Sequence, residues 1–93
     1  MDIGMRTPSG SFSLRAAALI LHGNRLLAIK HDRYDCFYTI GGGIRVNETS
    51  ADAVVREAFE ETGYPFLVER LAFIQERFFR ADHAQHHEVV FFT

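Results

Sequence analysis

The stretch that decides the fold runs from Gly42 to Tyr64 and reads GGIRVNETSADAVVREAFEETGY. Its second half predicts a helix, because Thr49 or Ser50 can cap the amino terminus and Asp52 lies in the first turn, where the helix dipole favours an acid. Residues 49–62 contain no Gly or Pro, and Gly63 occupies the position typical of the residue just after a helix end. We therefore expect one helix that ends immediately before this glycine.

Three carboxylates share one edge of the predicted helix. At 100° per residue, Glu57, Glu60 and Glu61 fall within an arc of about 100°, next to an apolar flank. Arg56 and Glu60 are spaced i,i+4 and can form an ion pair, whereas Glu57 and Glu61 are like charges at the same spacing, which costs roughly 0.2–0.5 kcal/mol. Glutamate-rich helix faces usually mark solvated surface. A hard divalent cation such as Mg²⁺ would instead relieve the repulsion, since it prefers carboxylate oxygens.

Hydrophobic alternation and turn residues divide the rest of the chain into strands and loops. Strands are predicted at 12–21, 25–30, 37–40, 66–79 and 88–93. The Gly-Asn turn at 23–24 makes the first two a β-hairpin, and the three glycines at 41–43 stop the third strand. A polar loop is expected over 80–87 and a loose leader over 1–11. The order β-β-β-α-β-β predicts an α/β fold in which a mixed sheet packs one face against the helix.

Length and composition limit the class of protein. With 93 residues, of which 47% are hydrophobic, we expect a single domain over residues 1–93. The longest apolar run, residues 16–21, is far shorter than the roughly 20 residues that cross a bilayer, so no membrane anchor is expected. A net charge of −2 does not favour a nucleic-acid polymer as partner. The single cysteine, Cys36, rules out an intrachain disulfide and suits a cytoplasmic protein.

The spacing of the charged residues in 42–64 resembles a complete Nudix box. Gly42 is followed after five residues by Glu48, and after seven more by Arg56-Glu57-Ala58-Phe59-Glu60-Glu61-Thr62-Gly63-Tyr64. Several fixed positions over this length are far more specific than a lone glycine triplet. The chain is therefore similar to the Nudix hydrolases, and the flanking strands fit the order of elements in that family.

The resemblance implies a metal-dependent pyrophosphohydrolase that cleaves a nucleoside diphosphate linked to another moiety. Its cofactor would be Mg²⁺, with Mn²⁺ as a substitute, and a metal-activated water would attack phosphorus. The implied metal ligands are the backbone carbonyl of Gly42 and the side chains of Glu48, Glu57, Glu60 and Glu61. Glu57 and Glu61 would bind the metal most directly, while Glu48 would lie at the edge of the site as a ligand or hydrogen-bond partner.

Catalytic roles follow from the same resemblance. Glu60, Glu61 or Glu57 would take the proton of the attacking water, and the sequence does not decide which. Arg56 would hold the glutamates in place through an ion pair. The alternative is a Nudix-like nucleotide-binding or regulatory module without turnover, against which the intact glutamate set argues.

The carboxyl-terminal part of the chain differs from the family pattern. Family domains usually continue past the strand that residues 88–93 resemble, with a further strand and a second helix that covers the other face of the sheet. We therefore expect either a carboxyl-terminally truncated domain or a second chain over that face, as in a homodimer.

Candidate substrate contacts lie outside the predicted helix. Arginine offers a planar fork that matches phosphate oxygens, and the candidates are Arg33, Arg45, Arg77 and Arg80. Phe79 is a candidate for stacking on a base, with a core or interface role as the alternative. We assign Arg45, Arg77 and Phe79 to substrate binding.

Two further features are typical of structural roles. The cluster of His83, His86 and His87 predicts a solvated loop or strand end, with substrate contact as the alternative. A metal site is not favoured, because adjacent residues of a strand point to opposite faces. Cys36 beside Phe37 is more typical of a small buried hydrophobic residue than of a nucleophile, since no motif surrounds it.

Overall fold

The computed structural model describes residues 1–30, 37–81 and 83–93. Its elements in chain order are β1 (Gly4–Thr7), β2 (Gly10–Ala17), β3 (Leu21–His22), β4 (Arg25–Leu26), β5 (Ile29–Lys30), β6 (Phe37–Tyr38), β7 (Gly41–Gly43), α1 (Ser50–Thr62), β8 (Phe73–Ala81) and β9 (Ala84–Phe92). The mixed α/β fold class is confirmed. In the described part of the chain, no helix combines the length and hydrophobicity that crossing a membrane requires.

Strand β2 lies at the centre of a five-stranded mixed sheet. On one side it runs parallel to β9, with Leu14 opposite Val89 and Ala16 opposite Phe91. On its other side it pairs antiparallel with β1 along its first half and with β7 along its last three residues. Strand β8 pairs antiparallel with β9 at the far side of the sheet. The sheet therefore separates β7 from β8 by two intervening strands.

Helix α1 packs on this sheet over β7 and β2. The hydroxyl oxygen of Thr49 accepts a hydrogen bond from the Asp52 N–H at 3.0 Å, and Gly63 ends the helix in the left-handed region at φ 78°. The predicted helix and both of its ends are confirmed. Small residues dominate the buried core, which lets the helix approach the sheet closely. The buried core residues are Ala16, Ala18, Ile40, Ile44, Ala53, Val54 and Ala58.

The loose leader expected over residues 1–11 is wrong. Gly4–Thr7 forms strand β1 along the edge of β2, and Asp2 makes an isolated bridge to Arg45. All four residues of β1 are exposed, so the strand is held by backbone pairing and leaves no hydrophobic alternation in the sequence. Backbone pairing with a distant strand is a long-range contact, which local sequence patterns do not report.

The three consecutive glycines do more than stop a strand. Gly41–Gly43 forms β7, with Gly42 opposite Ala16 of β2. A Cβ atom at Gly41 would lie 2.9 Å from the Cα of Ala17. A strand this close to its neighbour needs residues without side chains.

The remaining strand predictions are confirmed in part. The Gly-Asn hairpin exists but is short, because β3 and β4 have two residues each. The polar loop predicted over 80–87 is wrong, since β8 and β9 extend through it until Ala81 lies opposite Ala84. The strand predicted from residue 66 begins only at Phe73. The loop error arose because exposed strand residues carry no burial pattern, whereas the β-rich composition of residues 66–72 is not accompanied by strand pairing.

Candidate acidic site at the helix edge

A tight turn carries the chain from β7 into α1. Asn47 adopts φ 69°, and the Glu48 N–H donates to the Arg45 carbonyl oxygen at 3.0 Å. In return, the Arg45 N–H donates to Glu48 Oε1, also at 3.0 Å. This reciprocal pair of hydrogen bonds fixes the Glu48 carboxylate beside the helix.

Arg56 joins this turn to the acidic edge of the helix. Its Nε lies 2.8 Å from Glu48 Oε2 and its Nη2 lies 2.9 Å from Glu48 Oε1, a bidentate arrangement. Nη1 donates to Glu57 Oε1 at 2.8 Å, and Nη2 also donates to the Gly43 carbonyl oxygen at 2.9 Å. The predicted i,i+4 ion pair with Glu60 is present at 3.6 Å. The side chains of Arg56, Glu48 and Glu57 are 18%, 15% and 16% exposed, so these charge-assisted bonds are largely shielded from water.

Bonding to Arg56 controls the ionisation of Glu48. Hydrogen bonds from the guanidinium outweigh the opposing effect of burial and, with help from the Arg45 N–H, lower the Glu48 pKa to about 2. The Arg56 pKa is raised above its usual value, chiefly by the hydrogen bond with Glu48. Glu48 is therefore ionised at neutral pH, and both of its oxygens accept hydrogen bonds.

Gly42 lies directly against the carboxylate of Glu57. A Cβ atom at residue 42 would overlap Glu57 Oε1 and lie 2.9 Å from Oε2. Gly43 likewise leaves room for Asp2, because a Cβ atom at residue 43 would overlap the Asp2 carboxylate. The glycines of β7 thus let two carboxylates approach the backbone of the sheet.

Glu60 and Glu61 continue the acidic edge toward the end of the helix. Glu60 Oε1 lies 3.9 Å from Arg45 Nη2, and both side chains are 49% exposed. The pKa of Glu61 is raised, first by burial and then by the negative charges of Glu57 and Glu60. The three carboxylates are therefore close enough to repel one another, and a cation bound among them would lower that repulsion.

The chemistry of these donors fits a hard divalent cation. Carboxylate and backbone carbonyl oxygens are the ligands that Mg²⁺ prefers. Because residue 42 has no side chain, the Glu57 carboxylate can lie directly against the backbone of β7. Within residues 1–30, 37–81 and 83–93, no three His, Cys, Asp or Glu side chains form a ready metal cluster as they stand.

The structure brings only one of the three assigned substrate residues to this site. Arg45 lies at the turn beside Glu60. Arg77 and Phe79 lie on β8, three strand spacings or about 14 Å from β7. Arg77 binds Glu88 on β9, and Phe79 stacks on His86 with ring centroids 5.0 Å apart.

Among the described residues, the other candidates on β8 and β9 lie away from the acidic edge. Arg80 is on β8 near its end, and Arg33 and Cys36 lie outside the described residues. His86 and His87 point to opposite faces of β9: Ser11 Oγ lies 2.7 Å from His86 Nδ1, while His87 stacks on Phe78. The solvated loop or strand-end role predicted for these two histidines is therefore wrong, because both are half-buried inside β9 and pair with residues of β8.

Two acids with defined positions were missed from the sequence. Glu88 is 9% exposed on β9 and binds Arg77 at 2.5 Å, with Arg15 at 3.9 Å. An acid at the start of the apolar run Val89–Phe92 was the available signal, because a buried carboxylate needs a cationic partner. Asp2 carried no such signal, since its place against Gly43 depends on a long-range strand contact.

Comparison with known families identifies this arrangement. A sequence model of the NUDIX domain matches residues 12–93, which include the whole acidic edge and the glycine strand. The chain belongs to the Nudix family. The resemblance seen in the sequence is therefore confirmed, and membership supports a hydrolase of the Nudix type. A search of curated proteins finds no significant match.

Solved structures share the same fold. The MutT NUDIX hydrolase from Burkholderia pseudomallei matches with a TM-score of 0.72 and 25% identity over 88% of this chain and 66% of that one. The ORF135 protein of E. coli matches with a TM-score of 0.66 and 21% identity, and the match covers 88% of this chain and 60% of that one. The MutT protein from Methanosarcina mazei Go1 matches with a TM-score of 0.57 and 22% identity, and the match covers 87% of this chain and 62% of that one. The chain thus spans less than two thirds of the length of each of these proteins.

Proposed function

We propose that this Nudix chain belongs to a metal-dependent pyrophosphohydrolase that cleaves a nucleoside diphosphate linked to another moiety. The observation that carries the proposal is the acidic edge of α1, where Glu57 lies against Gly42 and is held by Arg56. Arg56 contacts three glutamates, Glu48, Glu57 and Glu60, and Glu61 continues the acidic edge of the helix, so the local charge is negative and suited to a cation. A surface helix built for packing alone would have no reason to crowd these acids together.

The glutamates divide into ligands and supports. Glu57, Glu60 and Glu61, with the Gly42 carbonyl, would hold Mg²⁺ or Mn²⁺. When bound, the cation lowers the pKa of a bound water and neutralises charge on the diphosphate. Arg56 Nη1 donates a hydrogen bond to Glu57 Oε1. Glu57 Oε2 accepts no hydrogen bond from the described residues, which leaves this oxygen available to the cation.

Glu48 acts as the anchor of Arg56 in this proposal. Both of its carboxylate oxygens are occupied by N–H donors, so ligation of the cation would require these bonds to break. We therefore assign Glu48 the hydrogen-bond role of the two roles expected for it. One of the three remaining glutamates takes the proton of the attacking water.

The substrate is proposed to be a small nucleotide-type molecule. Arg45 is half exposed beside Glu60 and would contact a diphosphate oxygen bound at the cation. Neither a nucleic-acid polymer nor a membrane surface is proposed as a partner, because the chain carries a net charge of −2. The cytoplasm, where nucleotides are abundant and thiols stay reduced, is the proposed location.

A product assay tests this function. Nucleoside triphosphates, dinucleoside polyphosphates and nucleotide sugars are incubated with the chain and Mg²⁺, and mononucleotide or phosphate release is measured by chromatography. We expect product from at least one class, and Glu61→Gln to slow its release by roughly 10²–10³-fold. Glu69→Gln is the matched control, because Glu69 is an exposed glutamate outside the helix.

Two results would contradict the proposal. Equal activity of Glu61→Gln and the unmodified chain would remove Glu61 from the site. Tight nucleotide binding that is indifferent to Mg²⁺ and yields no product would favour the binding module without turnover.

A further inference from the structure

Strand β8 leaves one edge of the five-stranded sheet open. It has nine residues, Phe73–Ala81, and eight of them are exposed. Among the described strands it pairs with β9 alone. Its sequence, FIQERFFRA, contains neither Pro nor Lys, two residues that commonly protect an edge strand from pairing with another chain, and its charged residues are Glu76, Arg77 and Arg80. The outer N–H and C=O groups of β8 are therefore available to a further strand.

Backbone alternation decides which residues of β8 face outward. Ala81 and Ala84 close the hairpin across two intervening residues and therefore form a hydrogen-bonded pair. Alternate pairs along an antiparallel ladder are hydrogen-bonded. The N–H and C=O groups of Ile74, Glu76, Phe78 and Arg80 consequently point away from β9 and toward the open edge.

Three of these outward residues, Glu76, Phe78 and Arg80, form a symmetrical pattern. They are spaced by two along the strand, so their side chains lie on the same face of the sheet. The order is acid, aromatic, base, centred on Phe78, which is 65% exposed. In the described part of the chain, neither Glu76 nor Arg80 has an ion-pair partner, which leaves one unpaired charge of each sign two residues from Phe78.

We propose that β8 pairs antiparallel with β8 of a second copy of this chain, about a two-fold axis at Phe78. This register places Phe78 opposite Phe78 of the second copy. Glu76 lies opposite Arg80 of the second copy, and symmetry makes this ion pair twice. On the other face of the sheet, Arg77 lies opposite Phe79, where a guanidinium can stack on the ring. The interface is independent of the function proposed for the acidic site.

The charges disfavour two alternative registers. In an antiparallel pair, directly opposed residues lie on the same face of the sheet. A two-fold axis perpendicular to the sheet keeps each residue on its face, so the axis must pass between one residue and the same residue of the second copy. Centring on Glu76 would oppose two glutamates, and centring on Arg77 would oppose two arginines, both of which are destabilising. Among the registers centred on a β8 residue, the one at Phe78 brings Glu76 and Arg80 together.

Sedimentation equilibrium with charge-exchange variants tests the proposal. At rising concentration, the unmodified chain should approach twice its 10.6 kDa mass. Glu76→Arg converts both ion pairs into like-charge pairs and should raise the dimer dissociation constant by roughly tenfold or more. Adding Arg80→Glu to Glu76→Arg restores opposite charges across the interface and should return the constant to within about threefold of its original value.

The controls separate dimerisation from folding. Glu69→Arg makes the same charge change on an exposed residue outside β8 and should leave the dissociation constant unchanged. Circular dichroism of each variant checks that the chain is folded. A monomer at millimolar concentration would overturn the interface, and so would a Glu76→Arg variant that dimerises normally. A folded double variant that stays as weak as Glu76→Arg would overturn the Phe78 register.

Discussion

Substituting Arg56 with glutamine should destabilise the fold, because this largely shielded side chain holds two carboxylates at once. The Arg56→Gln variant loses four hydrogen bonds of 2.8–2.9 Å, two to Glu48 and one each to Glu57 and the Gly43 carbonyl. It leaves carboxylates that are only 15% and 16% exposed without their cation. Breaking a fully buried pair costs about 3–5 kcal/mol, and fully exposed pairs contribute about 0–1 kcal/mol. For these mostly shielded groups we expect a loss of about 2–3 kcal/mol in the free energy of unfolding.

Urea unfolding followed by circular dichroism measures this loss. Arg45→Gln is the matched control, because Arg45 only approaches Glu60 at 3.9 Å between side chains that are both 49% exposed. We expect that control to change the free energy of unfolding by less than about 0.5 kcal/mol. Arg56→Lys should recover only part of the loss, since an ammonium group cannot bind a carboxylate bidentately. A loss below about 1 kcal/mol for Arg56→Gln would refute the reasoning.

Three further predictions concern the turn, the glycine and the helix cap. Because the Glu48 pKa is lowered from 4.5 to about 2, its ionised form stabilises the fold above pH 4.5, and this contribution disappears as the pH falls toward 2. Acid titration should therefore show a shallower loss of stability in Glu48→Gln, and an identical curve would contradict the pairing. Gly42→Ala should displace the Glu57 carboxylate and weaken Mn²⁺ binding by roughly tenfold; unchanged affinity in a calorimetric titration would count against that contact. Thr49→Ala removes the 3.0 Å cap bond to Asp52 and should cost about 1 kcal/mol in thermal unfolding, whereas no shift in Tm would mean that the cap is unimportant.

Helix α1 could be predicted from the sequence because its signals are local. Thr49 and Gly63 lie at the two ends, and each makes its capping bond within a few residues of the chain. The spacing of the glutamates fixes their common edge by helix geometry alone. The assignment to the Nudix family rests on the same local spacing, and it is confirmed by the match over residues 12–93.

The strands that could not be predicted depend on distant partners. All four residues of strand β1 are exposed, and the strand forms because its backbone hydrogen-bonds to β2. Strand β7 consists of three glycines, whose sequence signals a turn, and the close approach to β2 is what makes it a strand. Arg77 and Phe79 were assigned to the substrate site because their residue types suit it. The position of β8 at the other side of the sheet, which keeps them from the acidic edge, is a property of topology.

The most direct measurement is a titration of Mn²⁺ into the chain, with bound metal followed by electron paramagnetic resonance. If Glu57, Glu60 and Glu61 hold a divalent cation, the unmodified chain will bind Mn²⁺ saturably, and Mg²⁺ will displace it. Glu57→Gln and Glu61→Gln should each weaken the binding by roughly 10–100-fold, while Glu69→Gln should leave it unchanged. No uptake by the unmodified chain, or equal uptake by all four proteins, would contradict the assignment of these glutamates as metal ligands.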